Sequence, residues 1–312
     1  FLYLINSISN NHHRGSKFFE SIEQLLQSIF SELKSDFTSS ELFQIFKENK
    51  RIILFFIKNK LITVDDSFYH LAASQLGTDI NYLNYFKAEL SRPTPEDYEE
   101  KRLIGENDSY ICSLIRNHSV EEFITYVTKN NINLNKFIQP SIYETNSFLI
   151  QHQPSLIEYA AFCDSIEILR YLRYNNVDMN PSLWFYAIHS NNAELIHFLE
   201  ENEVDIRSGQ ENDLIIESIK CNHNEIAEYF FNKFVPTEID QKTTNYIEDT
   251  LKYYNFAWIQ FEVDDNKCFF HLCVNDYFDL VKILMAEGNI DINHTEIMRK
   301  LFKSSRSKIK IF

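Results

Sequence analysis

The sequence predicts an all-α fold: a helical-repeat solenoid preceded by a divergent helical N-terminal region. Three observations predict it. Residues 154–180 align on residues 181–207 with ten of 27 positions identical. Apolar residues in each copy recur at helical spacing and do not alternate as in a strand. Glycine is scarce, only 5 in 312 residues, where roughly 7% is ordinary.

The identities are Pro154/Pro181, Ser155/Ser182, Leu156/Leu183, Tyr159/Tyr186, Ala160/Ala187, Glu167/Glu194, Leu172/Leu199, Asn175/Asn202, Val177/Val204 and Asp178/Asp205. Pro154 and Pro181 suit the first turn of a helix, where no backbone N–H is needed. Leu156, Tyr159 and Ala160 share one helical face, and the small Ala160 and Ala187 permit close helix approach. Ile166, Ile168, Leu169 and Leu172 form a second apolar cluster on a following helix. Between them, Asp164-Ser165 and Asn191-Asn192 are polar pairs suited to a tight turn and an N-cap. Each unit therefore reads helix, turn, helix, polar loop. One unit cannot bury its apolar face alone, so the core comes from stacking.

The polar loop recurs as Asn131–Asn135, Asn176–Asn180, Glu203–Arg207 and Asn289–Asn293. Asparagine stands there where a left-handed backbone is wanted, and it tolerates that conformation better than most residues. More divergent units are expected at Tyr110–Asn135, Leu214–Phe234 and Cys268–Asn293, with insertions at 139–153 and 235–265. The second insertion holds Tyr246–Phe261, read as the remnant of a helix pair. In residues 1–105, Ile22, Leu25, Leu26, Ile29 and Phe30 form one amphipathic face, and Leu42, Ile45 and Phe46 another. Ile52–Ile57 is read as a core helix, and Arg92–Asp97, with its two prolines, as a linker. The expected organisation is a helical region at 1–105, divergent repeats at 106–235, an insertion and a further repeat at 236–293, and a basic tail at 294–312. The tail is read as a truncated repeat, and Phe1 as the start of a fragment.

These segments resemble a known family. The stretches P-S-L-I-E-Y-A-A-F (154–162), P-S-L-W-F-Y-A-I-H (181–189), N-A-E-L-I-H-F-L-E-E-N (192–202) and E-S-I-K-C-N-H-N-E-I-A (217–227) are similar to divergent ankyrin-repeat proteins carrying the DUF3447 domain of unknown function. So is L-K-Y-Y-N-F-A-W-I-Q (251–260). The resemblance spans residues 106–293 and implies an ankyrin-like solenoid with no assigned chemistry. The usual T-P-L-H start is replaced by Ser155-Leu156-Ile157-Glu158 and Ser182-Leu183-Trp184-Phe185.

Composition excludes several functions. The five glycines are isolated from one another, so neither a P-loop nor a Rossmann fingerprint can be assembled. Net charge is −15, and residues 101–293 alone carry 14 basic and 30 acidic side chains. That surface opposes phosphate backbones, so no nucleic acid is expected as a partner, and it favours basic proteins. The tail from residue 294 carries 6 basic and 1 acidic residue, which leaves a membrane-peripheral reading open. Five irregularly spaced cysteines form no disulfide framework, which points to a reducing, cytoplasmic location. No apolar run is long enough to span a membrane.

Chemical sites are thinly signalled. Cys268-x-x-His271-x-Cys273 lacks a second ligand pair nearby, and Cys268 and Cys273 fall on core positions. A cysteine nucleophile at Cys163 or Cys221 would need a positioned histidine; His189 and His223 are read as turn residues. The carboxylate pairs Glu121-Glu122, Glu200-Glu201 and Asp264-Asp265 are neighbours that do not face each other on a helix. Trp184 and Phe198 match inward positions, while Tyr171, Tyr174 and Phe185 are left open. The expectation is a non-enzymatic protein-binding module with no cofactor or metal. It would bind through hairpin tips and the concave face, at Asn133, Asp178, Glu201, Glu203, Asp205 and Asp291. One partner type is a basic peptide or domain. The rivals are a structural spacer without a groove ligand, and a metal-dependent enzyme built around Cys268, His271 and Cys273.

Overall fold

The computed structural model describes residues 1–11, 16–76, 97–235, 246–258, 265–274 and 277–287. Among these residues the chain is all-helical, and the only extended pairing is an isolated antiparallel bridge between Phe137 and Ser155. The chain divides into two compact units, Phe1–Ile206 and Arg207–Phe312.

The first unit opens with α1 (Leu2–Asn11), α2 (Ser16–Ser28), α3 (Phe30–Asp36), α4 (Ser39–Phe46), α5 (Lys50–Lys58) and α6 (Asp66–Leu76). Helix α1 packs on α2 and α4, and α4 on α5. Leu26, Leu33, Leu42, Phe43, Phe46, Ile53 and Phe56 make the core of this region. Thr38 caps α4 through a box in which Glu41 reaches back to the Thr38 N–H at 2.8 Å. Leu25 is exposed, not part of the buried face. The helix breaks after Ser28, so the five-residue apolar face expected there is split between two helices.

Helix α7 (Tyr98–Ile104) ends at Gly105, whose φ is +70°. Three helical hairpins follow: α8 (Tyr110–Arg116) with α9 (Val120–Lys129), α11 (Leu156–Phe162) with α12 (Ile166–Tyr174), and α13 (Leu183–Ser190) with α14 (Ala193–Glu201). A short helix, α10 (Ser147–His152), lies in the segment between the first two. The first helices α8, α11 and α13 pack side by side, and α9 packs on α12. Ala160 and Ala187 are fully buried on the directly packed pair α11 and α13.

The three hairpins share backbone features. His118, Asp164 and Asn191 are left-handed in the turns between paired helices, and Asn131, Asn176 and Glu203 are left-handed where second helices end. The N–H of Val177 reaches the Leu172 carbonyl at 3.1 Å, and that of Val204 reaches Leu199 at 3.0 Å. Asn176 bonds to Arg173, and Glu203 to Glu200. These paired bonds form the Schellman closure, which satisfies orphan helix carbonyls and buries Val177 and Val204 against the helix they end. Pro154 and Pro181 sit one residue before the N-caps Ser155 and Ser182, not in the first helical turn. At the first site Ser155 takes the cap because Glu158 completes a capping box with it.

The second unit holds α15 (Glu211–Lys220) paired with α16 (Asn224–Phe234), then α17 (Ile247–Lys252), a 3-10 turn at Phe256–Trp258, and α18 (Asp265–Val274) paired with α19 (Phe278–Glu287). Of the helix-pair remnant expected in Tyr246–Phe261, the described residues 246–258 hold one helix and a 3-10 turn. Asn255 Nδ2 donates to the Ile219 carbonyl at 2.9 Å, tying this turn to α15. Ile247, Leu251, Phe269, Leu272, Cys273, Val281 and Leu284 form its core. Residues 92–96 of the expected linker, the recurrent loop at 289–293 and the basic tail lie outside the described residues.

Candidate interaction surface

The hairpin tips are placed by the Schellman closures. Asn133, Asp178, Glu203 and Asp205 are exposed there, and Glu201 is exposed as the last residue of α14. Asp291 lies outside the described residues. Asn133 Oδ1 accepts from the Asn135 N–H at 3.0 Å, which fixes the first tip as an Asx turn. The third tip concentrates charge. Helix α14 ends in Glu200 and Glu201, followed by Glu203 and Asp205. Carboxylates at a helix C-terminus face the negative end of the dipole, which costs about 0.3–1 kcal/mol each. His197 meets Glu200 at 3.2 Å; α12 instead carries Arg173 in its last turn, whose Nε donates to Asn202 Oδ1 at 3.4 Å. On the outer helices Arg170 bridges Glu167 at 3.1 Å and Glu194 at 3.2 Å, joining two hairpins.

The first helices present a different surface. All seven residues of α11 are buried. Part of α11 and α13 is covered by Phe148, from the segment between the first two hairpins. Phe148 stacks on His189 with ring centroids 4.0 Å apart, meets Tyr186 edge-on at 4.9 Å and lies parallel to Phe162 at 6.2 Å. At the other end Tyr143 enters the N-terminal core. This segment therefore clasps the N-terminal helices to the hairpins. Lys50, with 2% exposure, donates to the carbonyls of Ile142 and Glu144. The Gly105 carbonyl accepts from Thr145 N at 3.0 Å and Thr145 Oγ1 at 2.6 Å. Arg116 joins Glu106 at 2.6 Å, the Asn107 carbonyl at 2.7 Å and the Tyr159 hydroxyl at 2.9 Å. The buried Glu144 carboxylate accepts from the N–H groups of Asn107 and Asn146. Burial pushes the Tyr159 hydroxyl well above the usual phenol range and the Cys112 thiol up to about 11.

A cavity of about 40 Å³ lies among Lys50, Asn107, Leu149, Gln153 and Tyr159. That volume takes about one water, not a substrate. A cleft of about 460 Å³ is lined by Phe19, Arg51, Leu103, Ile104, Gly105 and Thr145, among others. The Arg51 guanidinium lies 4.5 Å over the Phe19 ring, with Nε 3.5 Å from Glu23 and Nη1 3.4 Å from the Ile104 carbonyl.

Several sequence readings change. His189 is buried in the last turn of α13, not in the turn between helices, because the left-handed residue that ends α13 is Asn191. His223 does stand between helices, as the N-cap of α16. Phe198 is only half-buried, with Arg170 5.9 Å over its ring. Trp184 is buried and donates from Nε1 to the Val204 carbonyl at 3.2 Å. Tyr174 is 87% exposed, whereas Tyr171 packs edge-on against Phe123. All five cysteines are buried and none forms a disulfide. Among the described residues, Cys268, His271 and Cys273 do not come together as metal ligands; His271 faces Glu248 at 3.5 Å. No described helix is long and apolar enough to cross a membrane.

Sequence reasoning missed Glu158, although Ser155-x-x-Glu158 is a capping signature. It also missed Lys50 and Glu144, for which no local signal exists: they lie 94 positions apart. The chain matches no protein-family model, no curated protein and no solved structure.

Proposed function

We propose that this chain is a non-enzymatic protein-binding module whose hairpins continue as an ankyrin-type solenoid. A basic protein segment is its partner, held at the hairpin tips. The observation that carries this reading is the recurrence of exposed acidic or amide side chains on backbone-locked tips, at Asn133, Asp178, Glu203 and Asp205. Pre-ordered tips lose little entropy on binding, and the acidic surface steers cations toward them. Phe148 covers part of α11 and α13, whereas the tips stand open to solvent.

The test is affinity capture from lysate with the full chain, identified by mass spectrometry. It would be run beside a variant carrying Asp178→Asn, Glu203→Gln and Asp205→Asn. A dominant basic partner lost in the variant supports the reading. Identical partners with both proteins favour a spacer without a specific ligand.

A further inference from the structure

We propose that Tyr254, Phe256 and Tyr277 form a three-walled aromatic cage that binds the quaternary ammonium group of a methylated amine. The site belongs to the second unit and does not draw on the reading of the tips.

The three rings meet nearly at right angles. Tyr254 and Phe256 have centroids 6.3 Å apart at 82°, Tyr254 and Tyr277 6.5 Å at 76°, and Phe256 and Tyr277 5.5 Å at 81°. Rings set like the faces of a box corner at these separations share a point about 4–5 Å from every centroid, inside the range at which a ring face attracts a cation. The Tyr277 hydroxyl donates to the Leu251 carbonyl at 3.1 Å, which fixes that wall. Ring faces satisfy N–H groups poorly. A quaternary ammonium group has no N–H to satisfy, so it suits this corner better than a primary one, whose water hydrogen bonds would be lost.

The backbone departs from its usual preference to build the corner. Tyr254 follows the C-cap of α17 and is left-handed at φ 57°. Its closure repeats that of the hairpins: Asn255 N reaches the Thr250 carbonyl at 3.0 Å, and Tyr254 N reaches Leu251 at 3.4 Å. In the hairpins Asn131, Asn176 and Glu203 hold the equivalent place. A bulky aromatic residue there is an outlier, and such strain persists where the side chain is needed. Phe256 lies two residues further on, in the 3-10 turn, and is 41% exposed. Tyr254 and Tyr277 are half-buried. Rings assembled only for packing would be buried, whereas this trio stays within reach of solvent. Neighbouring rings already carry cations: Lys252 Nζ lies 4.8 Å over Tyr253, and Lys282 Nζ 4.1 Å over Phe278. The net charge of −15 draws further cations toward the chain.

The experiment titrates the full chain with tetramethylammonium chloride, followed by NMR chemical shifts. Saturable binding is expected. Neopentyl alcohol, of similar shape but uncharged, should bind at least about tenfold more weakly. Phe256→Ala and Tyr254→Asn should each weaken the cation about tenfold. Tyr254→Asn should at the same time hold or raise the thermal midpoint, because asparagine suits left-handed backbone; a tyrosine with only a packing role would lower it. No saturable binding, equal binding of the alcohol, or undiminished binding to either variant overturns the proposal. A short peptide with one trimethyllysine, beside the same peptide with lysine, identifies the source of the cation. Binding of the methylated peptide at least about tenfold tighter than tetramethylammonium assigns the cage to a protein side chain, and equal affinity assigns it to a free cation. Equal binding of the two peptides overturns the quaternary preference. The tip variant should bind tetramethylammonium as the wild type does; loss there would place the cation on the tips and overturn the cage. No assay here needs the tip partner, so failure of the cage leaves the capture result untouched.

Discussion

Lys50 Nζ donates to the Glu144 carbonyl at 2.8 Å, joining the N-terminal helices to the segment between the first two hairpins. The same ammonium group also serves the Ile142 carbonyl. Lys50→Met keeps the aliphatic stem and removes the donors, stranding two carbonyls in a buried place. The expected loss is about 2–4 kcal/mol of unfolding free energy, read as a lower midpoint in urea. An unchanged midpoint would show that water replaces the ammonium group without cost.

Glu203 and Asn176 hold left-handed backbone at φ 50° and 59°. A left-handed conformation costs side-chain-bearing residues about 1–2 kcal/mol, and less for asparagine. Glu203→Gly should therefore stabilise the protein by about 1 kcal/mol, and Asn176→Gly by less. Asn176→Val should destabilise it. Thermal unfolding of the three variants checks the order.

Gly105 is the reverse case. Its φ of +70° suits glycine, and a Cβ there would lie 2.9 Å from both Arg51 Nη1 and Thr145 Oγ1. Gly105→Ala should cost at least about 1 kcal/mol and loosen the Thr145 contact. Faster amide exchange at Thr145 than in the wild type is the specific readout.

The thiols of Cys112 and Cys273 are raised by burial from 9.0 to about 11. A raised folded-state value favours the neutral thiol in the native protein. Its contribution is intact below pH 9 and is lost as pH rises toward 11. Stability should fall across that window, and Cys112→Ala should flatten the fall. At neutral pH both thiols should react with a thiol reagent only after unfolding.

The apolar positions at helical spacing and the 27-residue duplication determined the helices and their pairing in hairpins. The polar pairs Asp164-Ser165 and Asn191-Asn192 placed two turns correctly, because capping and left-handed preference are local properties. Exposure at Asn133, Asp178, Glu203 and Asp205 was legible for the same reason: a residue after a helix stop has few neighbours to bury it. Tertiary structure alone decided the rest. Residues 139–153 read as an insertion, and nothing in their order announced that Tyr143 would enter one core and Phe148 another. Leu25 and Phe198 looked like core residues and are partly open, Phe198 with the Arg170 guanidinium 5.9 Å over its ring. Periodicity states which face of a helix is apolar. What covers that face depends on contacts between residues distant in sequence, and no local pattern encodes those.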